Sequence, residues 1–373
     1  MRLKLSILIA KLAGTLSKRF LRKSGETIPG RVLLALYPRA ISILSQNRKI
    51  ICISGTNGKT STTKAIVEII SKLGSVTTSA SGSNLDRGVA TALMTKSEYA
   101  VLEVDELHLP RVISEAKPVA VLLLNLTRDQ LHRMHEVKRV ADKWATAAKS
   151  APETIFIGDA DDPFVALALN SAAKSLRVSF GGRKHLDGAV CPSCGVYLNW
   201  SGDNYKCSCG LTNLNPDELF EAGTAAYRNA TLANFIGKVL GGEAIAINEQ
   251  ALERSVDRDY NGVTANLRLT KNPASWAEAL NSISGNEVIL IVNSREVDGI
   301  DTSWLWDIAF TQLSGKRVIV CGERALDIAY RLHVEGIEVE LTSNFDEAIS
   351  KFAKGSRVHV LAAYTAFHEL VTA

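Results

Sequence analysis

Four apolar residues, Ile50–Ile53, run straight into Ser54-Gly55-Thr56-Asn57-Gly58-Lys59-Thr60-Ser61, and Thr62–Leu73 then shows helical apolar spacing before Gly74. No other feature constrains the fold as tightly. A buried strand, a tight glycine turn and a helix, in that order, form a phosphate-binding loop at the edge of an open α/β sheet. Gly55 and Gly58 let backbone N–H groups face a phosphate, Lys59 can bridge two phosphates, and Thr60 can offer its hydroxyl to Mg²⁺. Thr56, Asn57 and Ser61 complete the loop, and the expected ligand is ATP. The position five residues before Gly58 is Ile53, so this is the short Gly-x-x-Gly-Lys-Thr form. The Lys59 ammonium is expected to point into the loop and not into a core, so that its removal would leave the fold intact.

A nucleotide site needs acids for its metal. Ala100–Val104 reads as a strand leading into Asp105 and Glu106, with Glu103 inside it, and Val119–Leu124 as a second strand ending at Asn125, with Asp129 just beyond. Glu103 and Glu106 can hold Mg²⁺ directly or through water, because that ion takes oxygen ligands and keeps several waters. A solvated surface acid is the plainer alternative for either.

The six cysteines are clustered. Cys191-Pro-Ser-Cys194-Gly195 and Cys207-Ser-Cys209-Gly210 stand twelve residues apart, while Cys52 and Cys321 lie alone in apolar runs. Four thiolates on two knuckles give the closed tetrahedral set of a structural Zn²⁺ site, here with the second knuckle one residue tighter than usual. A nucleic-acid-binding ribbon is the competing reading, but its basic residues are few: Arg183, Lys184 and Lys206.

Charge is unevenly divided. Residues 1–49 carry eleven Lys/Arg against Glu26, a net +10, which leaves −6 for the rest of a chain whose total is +4. The apolar stretch Leu5–Ala10 is short and interrupted by Lys11, unlike a secretory leader, and no apolar run approaches the roughly 18 residues that span a bilayer. A cytoplasmic location is therefore expected. Read as a helix, Leu5, Ile9, Leu12, Leu16 and Phe20 form an apolar stripe, with Lys4, Lys11 and Lys18 elsewhere. The plain expectation is that this stripe packs on the body. The alternative is contact with anionic membrane lipid or a diphosphate headgroup.

The loop, Leu102-Glu-Val-Asp-Glu106, Asn125-Leu-Thr-Arg-Asp129-Gln130 and Gly158-Asp-Ala-Asp-Asp162-Pro163 resemble, in order, the central ATPase domain of the Mur ligase family, and Gly82-Ser-Asn84 with Arg87-Gly88 is similar to a substrate-side loop of that domain. Members phosphorylate a carboxylate with ATP and let an amine attack the acyl phosphate. The ribbon, Leu269-Thr-Lys271-Asn272-Pro273-Ala274, Val292-Asn293 through Asp298-Gly299, Asp301, Trp304, Trp306 and Asp307, and Tyr364-Thr365-Ala366 resemble the MurT branch of that family. Amino-acid-adding members carry His before the Asn-Pro pair, where this chain has Lys271. His132 and Ser294 stand where the branch commonly has Asp.

The resemblance implies amidation of the D-glutamate α-carboxyl of lipid II at the membrane surface, with ammonia from a separate GatD-type glutaminase in a heterodimer. It implies a nucleotide role for Asn125, Asp129 and Asn229, Mg²⁺ ligation by Thr60 and Glu106, and catalytic roles for Lys59 and a C-terminal aspartate. Asp298 ranks first for that aspartate, then Asp301 and Asp307; Asp301 can equally cap the helix of Trp304. Two other readings stay open: an amino-acid-adding ligase, and a zinc-ribbon nucleic-acid or scaffold protein that only binds ATP.

The expected organisation is α/β throughout. A basic helical lead-in covers 1–49, a parallel ATP-binding domain 50–240 with a ribbon at about 186–212, and a smaller Rossmann-like C-terminal domain 245–373.

Overall fold

The computed structural model describes residues 2–21, 27–79, 83–129, 136–246, 255–295 and 298–372, with backbone only for 18–21. The chain forms two units, residues 1–127 with 137–252, and residues 128–136 with 253–373.

The first unit begins with helices α1 (Arg2–Leu21), α2 (Ile28–Leu36) and α3 (Ala40–Leu44). Strands and helices then alternate: β1 (Lys49–Ser54), α4 (Lys59–Ile70), β2 (Val76–Thr78), α5 (Asp86–Leu93), β3 (Tyr99–Glu103), α6 (Leu109–Ala116) and β4 (Ala120–Leu123). They continue through α7 (Val137–Lys149), β5 (Ile155–Asp159), α8 (Pro163–Ser171), β6 (Lys174–Ser179), the hairpin β7 (Asn199–Ser201) and β8 (Asn204–Lys206), β9 (Glu218–Leu219) and α9 (Ala225–Val239).

Among the described residues the sheet order is β2-β3-β1-β4-β5-β6-β9, with every pairing parallel. Helices cover both faces, which is why β1, β3 and β4 are continuous apolar runs and not alternating ones. One core joins Ile51, Ile53, Ile66, Ile69, Val101, Leu122, Leu124 and Ile157 to Leu232 and Ile236 of α9. The strand order reverses at β1, and the loop leaving its carboxyl end therefore occupies the topological switch point, where open α/β sheets bind ligands. The cysteine segment is an excursion between β6 and β9.

The apolar stripe of α1 does not pack on the body. Among its described side chains Ser6, Ala10 and Ser17 are buried together with Gly14, while Leu5, Leu8, Ile9, Leu12 and Leu16 stay exposed; the Phe20 side chain lies outside the described residues. Small residues win the packed face because they allow the helix axis to approach α2 closely: a Cβ on Gly14 would lie 2.6 Å from Pro29 Cγ.

The second unit holds β10 (Ser255–Tyr260), β11 (Val263–Leu269), α10 (Pro273–Asn281), β12 (Glu287–Ile291), β13 (Arg317–Cys321), α11 (Ala325–Val334), β14 (Glu340–Leu341), α12 (Phe345–Ser350), β15 (Arg357–Ala362) and α13 (Tyr364–Thr372). Its order is β10-β11-β15-β12-β13-β14, parallel except for the β10–β11 hairpin at one edge. The Lys271-Asn272-Pro273 segment has a local physical role. Asn272 caps α10 in a capping box with Ser275, and Pro273 occupies a first-turn position that needs no N–H. Because β15 inserts between β11 and β12, the segments leaving β12 and β15 come together.

Candidate nucleotide site, cysteine cluster and C-terminal aspartates

Gly58 ends the phosphate loop at φ +84°, immediately before α4, and no side chain caps that helix. A Cβ there would lie 2.1 Å from Asn229 Nδ2, so α9 presses an amide side chain against the loop at a place only glycine fits. The opposite wall is the segment after β4. Asn125 accepts from Asn57 N at 2.9 Å through Oδ1 and donates back to Asn57 O at 3.0 Å. Thr56 N donates to Asn125 O at 2.9 Å, and the Thr56 hydroxyl donates to Thr127 O at 3.1 Å. Loop and wall are thus one hydrogen-bonded piece whose helix N-terminus favours negative charge.

Lys59 Nζ donates to Gly55 O at 2.5 Å and to Glu106 Oε1 at 2.7 Å. The Glu106 side chain is buried at 5% exposure and that of Lys59 largely so at 11%. The ammonium does point into the loop, and because it is also one half of an ion pair with Glu106, its removal is expected to cost stability as well as charge. Two supports escaped the sequence reading. Trp144 of α7 donates its indole N–H to Glu106 O at 2.9 Å, and Ser79 Oγ bridges the backbone N and O of Glu103 at 2.9 and 3.1 Å. Trp144 is almost fully buried, and nothing in the local sequence marks where its N–H goes. Thr60 and Ser61 lie in the first turn of α4, where Ser61 Oγ donates to Gly58 O. Gly82, Gln130 and His132 lie outside the described residues.

Three aspartates, Asp159, Asp161 and Asp162, stand at the carboxyl end of β5. Asp162 caps α8 through Phe164 N and Val165 N and accepts from Leu126 N at 2.7 Å. Burial opposes its ionisation, but neighbouring His185 and Arg183 and these hydrogen bonds outweigh burial and hold the carboxyl below its ordinary range. Asp159 goes the other way. Burial pushes it up to about 6, against the pull of Arg183 3.8 Å away.

The four clustered cysteines place their sulfurs within 4.8 Å of one another, with Cys191–Cys209 at 3.6 Å and Cys194–Cys207 at 3.4 Å. A tetrahedral Zn²⁺ with bonds of about 2.3 Å needs sulfurs about 3.8 Å apart, so the set fits that ion. Gly195 and Gly210 turn the knuckles at positive φ, and Cys191 and Cys207 pack with Leu198, Tyr205 and Leu211.

In the second unit Asp298 lies in the loop after β12. Its oxygens accept from Thr365 N at 2.7 Å, Thr365 Oγ1 at 2.6 Å and Arg295 N at 3.1 Å, while Asn293 Nδ2 donates to the same Thr365 hydroxyl at 3.1 Å. Asp301 is exposed and accepts from Ser303 N at 2.9 Å, at the start of the 3-10 turn Ser303–Asp307. Asp307 pairs with Arg128 at 2.8 Å, and Asp129 with Lys271 at 2.8 Å, all within the second unit. Trp306 is exposed, stacked edge-on against Tyr330.

Residues 53–217 match the Mur ligase middle domain and residues 269–367 the MurT ligase C-terminal domain. The chain is 26% identical to the lipid II isoglutaminyl synthase (glutamine-hydrolyzing) subunit MurT of Streptococcus pneumoniae, over 92% of this chain and 91% of that protein. It is 28% identical to the Staphylococcus aureus subunit of the same name, over 90% and 89%. In fold it resembles a pseudomurein peptide ligase type C from Methanothermus fervidus (TM-score 0.64, 16% identity, 88% of this chain and 80% of that one). It also resembles the Thermotoga maritima MurF ligase in complex with ADP (TM-score 0.62, 17% identity, 92% and 83%). The chain belongs to the Mur ligase family, in the branch defined by the MurT-type C-terminal domain.

Proposed function

We propose that this chain is the ATP-dependent synthetase subunit of a lipid II isoglutaminyl synthase, converting the D-glutamate α-carboxyl of lipid II to the amide of D-isoglutamine. The observation that carries this reading is similarity to two MurT subunits over 90–92% of this chain, joined to a glycine loop whose lysine meets a buried acid.

Hydroxide is a poor leaving group and phosphate a good one. The carboxylate oxygen attacks the γ-phosphorus of ATP, ADP leaves, and ammonia displaces phosphate from the acyl phosphate with loss of a proton. Lys59 and the amides at the start of α4 hold the phosphates and offset the charge spreading over them. Bound Mg²⁺ supplies Lewis-acid neutralisation of that charge, and Thr60 and Glu106 are the residues that would hold it. Asn125 and Asn229 fix the loop's shape from either side. Zn²⁺ on the four cysteines is read as structural: two of the four are packed into a small core, and the ligand group among the described residues is four cysteines with no carboxylate in it.

Ammonia comes from a partner glutaminase of GatD type in this reading, consistent with the word subunit in the relatives' names. Asp298 is the C-terminal aspartate proposed to act at that junction, by orienting the partner's catalytic His. Its carboxylate is fixed by three hydrogen bonds, whereas Asp301 already serves a turn and Asp307 an ion pair. ATP and the lipid-linked substrate place the reaction at the cytoplasmic face of the membrane.

Incubating the protein with ATP, Mg²⁺ and lipid II, with ammonium or with glutamine and a glutaminase, tests the reading by mass spectrometry. Exchange of a carboxyl hydroxyl for an amino group is expected. Addition of an amino-acid residue would assign the chain to the other branch of the family, and no change with either nitrogen source would refute the proposal.

A further inference from the structure

Helix α1 turns its leucines outward. Leu5, Leu8, Leu12 and Leu16 are 55–58% exposed and Ile9 41%, whereas Ser6, Ala10 and Ser17 on the opposite side are 8% exposed or less. At about 100° per residue the five exposed apolar side chains span an arc of roughly 100°, centred about 150° from the packed face. Exposed Lys4 and Lys11 border that arc on one side and Arg2 on the other. The packed face is fixed by close contact: Gly14 faces the Pro29 ring, and Gly30 of α2 in turn donates its N–H to Thr91 Oγ1 of α5 at 2.9 Å. Rotating the helix to bury its leucines would break the small-residue fit. Residues 1–49 carry a net +10, while the rest of the chain is −6.

An apolar arc edged by cations suits one occupant above others, the interfacial zone of an anionic bilayer. Leucines enter the acyl boundary and the lysines meet lipid phosphates. No described helix is long and apolar enough to cross a membrane, so the helix would lie in the interface plane. We infer that α1 docks the protein on an anionic lipid surface through Leu5, Leu8, Leu12 and Leu16, flanked by Lys4 and Lys11. This inference does not rest on the proposed reaction, and its test contains neither nucleotide nor lipid II.

The full chain is sedimented with vesicles of phosphatidylglycerol mixed with phosphatidylcholine, or of phosphatidylcholine alone, at low and high salt. Binding to the anionic vesicles is expected to exceed binding to neutral ones by about 10-fold or more and to weaken with salt. Leu8→Ser with Leu12→Ser, both at exposed positions, is expected to lower anionic binding at least about 10-fold. Lys4→Gln with Lys11→Gln, which leaves the packed face untouched, is expected to reduce the preference for anionic lipid without abolishing the apolar contribution. Absence of binding to anionic vesicles, or binding unchanged by either pair of substitutions, overturns the inference. A concentration-dependent dimer that the leucine substitutions dissolve, without lipid binding, also overturns it and assigns the face to a second copy of the chain.

Discussion

Replacing Lys59 by Ala is expected to cost both turnover and stability, and the structure separates the two. The Lys59 ammonium and Glu106 carboxylate are 2.7 Å apart, with side chains 11% and 5% exposed. Removing the cation leaves the carboxylate buried without that partner, a change that costs about 3 kcal/mol at the lower end for broken buried pairs and lowers Tm by roughly 6–12 °C for a unit of this size. ATP turnover is expected to fall by about 10²–10³-fold, the usual loss when one preorganised charge-stabilising group is removed. Adding Glu106→Gln to Lys59→Met removes both charges and keeps comparable volume, so the double variant is expected to recover at least half of the lost stability and none of the turnover. Thermal unfolding followed by circular dichroism and phosphate release from ATP read the two effects on the same samples, and the single variants Lys59→Met and Glu106→Gln complete the cycle that isolates the coupling. Lys59→Ala unfolding at the wild-type temperature would show that the ion pair is not formed in solution. Turnover within about twofold of wild type would remove the phosphate-site assignment itself.

Asp298→Asn is expected to reduce glutamine-driven amidation by at least about 10-fold and to leave ammonia-driven amidation within about twofold, because only an orienting role at the glutaminase junction separates the two rates; equal loss of both would refute that role. Cys194→Ser, or a strong chelator, is expected to release stoichiometric zinc and lower the unfolding temperature, since a structural metal supplies folding free energy directly; finding no zinc in protein purified without chelator would refute the metal assignment. Asp159 binds its proton more tightly in the folded state, about 6 against an ordinary 3.8, so its contribution is fully present below pH 3.8 and is lost as pH rises through about 6. Asp159→Asn is therefore expected to gain stability over wild type as pH rises from 4 to 8, by at most about 3 kcal/mol, and a difference that does not change with pH would refute the burial argument. Asp162, held low, has the opposite sign, its contribution being lost only as pH falls below the ordinary carboxylate range.

Much of the first unit was legible because its signals are local. A strand, a glycine turn and a helix within about two dozen residues fix the phosphate loop wherever the sheet is built, and the loop's place at the switch point follows from adding strands on both sides of β1. The cysteine tetrad is legible for the same reason: its knuckles bring four sulfurs together over a short stretch of chain. The capping of α8 by Asp162 and of α10 by Asn272 also needs only adjacent residues.

What the sequence could not determine are contacts made across long separations. Glu106 reaches Lys59 over 47 residues, and Thr365 reaches Asp298 over 67. Such pairs depend on strand order, since β15 must insert beside β12 before Thr365 can meet the loop that follows β12. The outward face of α1 was hidden for a different reason. Periodicity locates an apolar stripe, but which face packs is decided by the shape of the partner helix, and the buried face of α1 is the one whose Gly14 leaves room for the Pro29 ring.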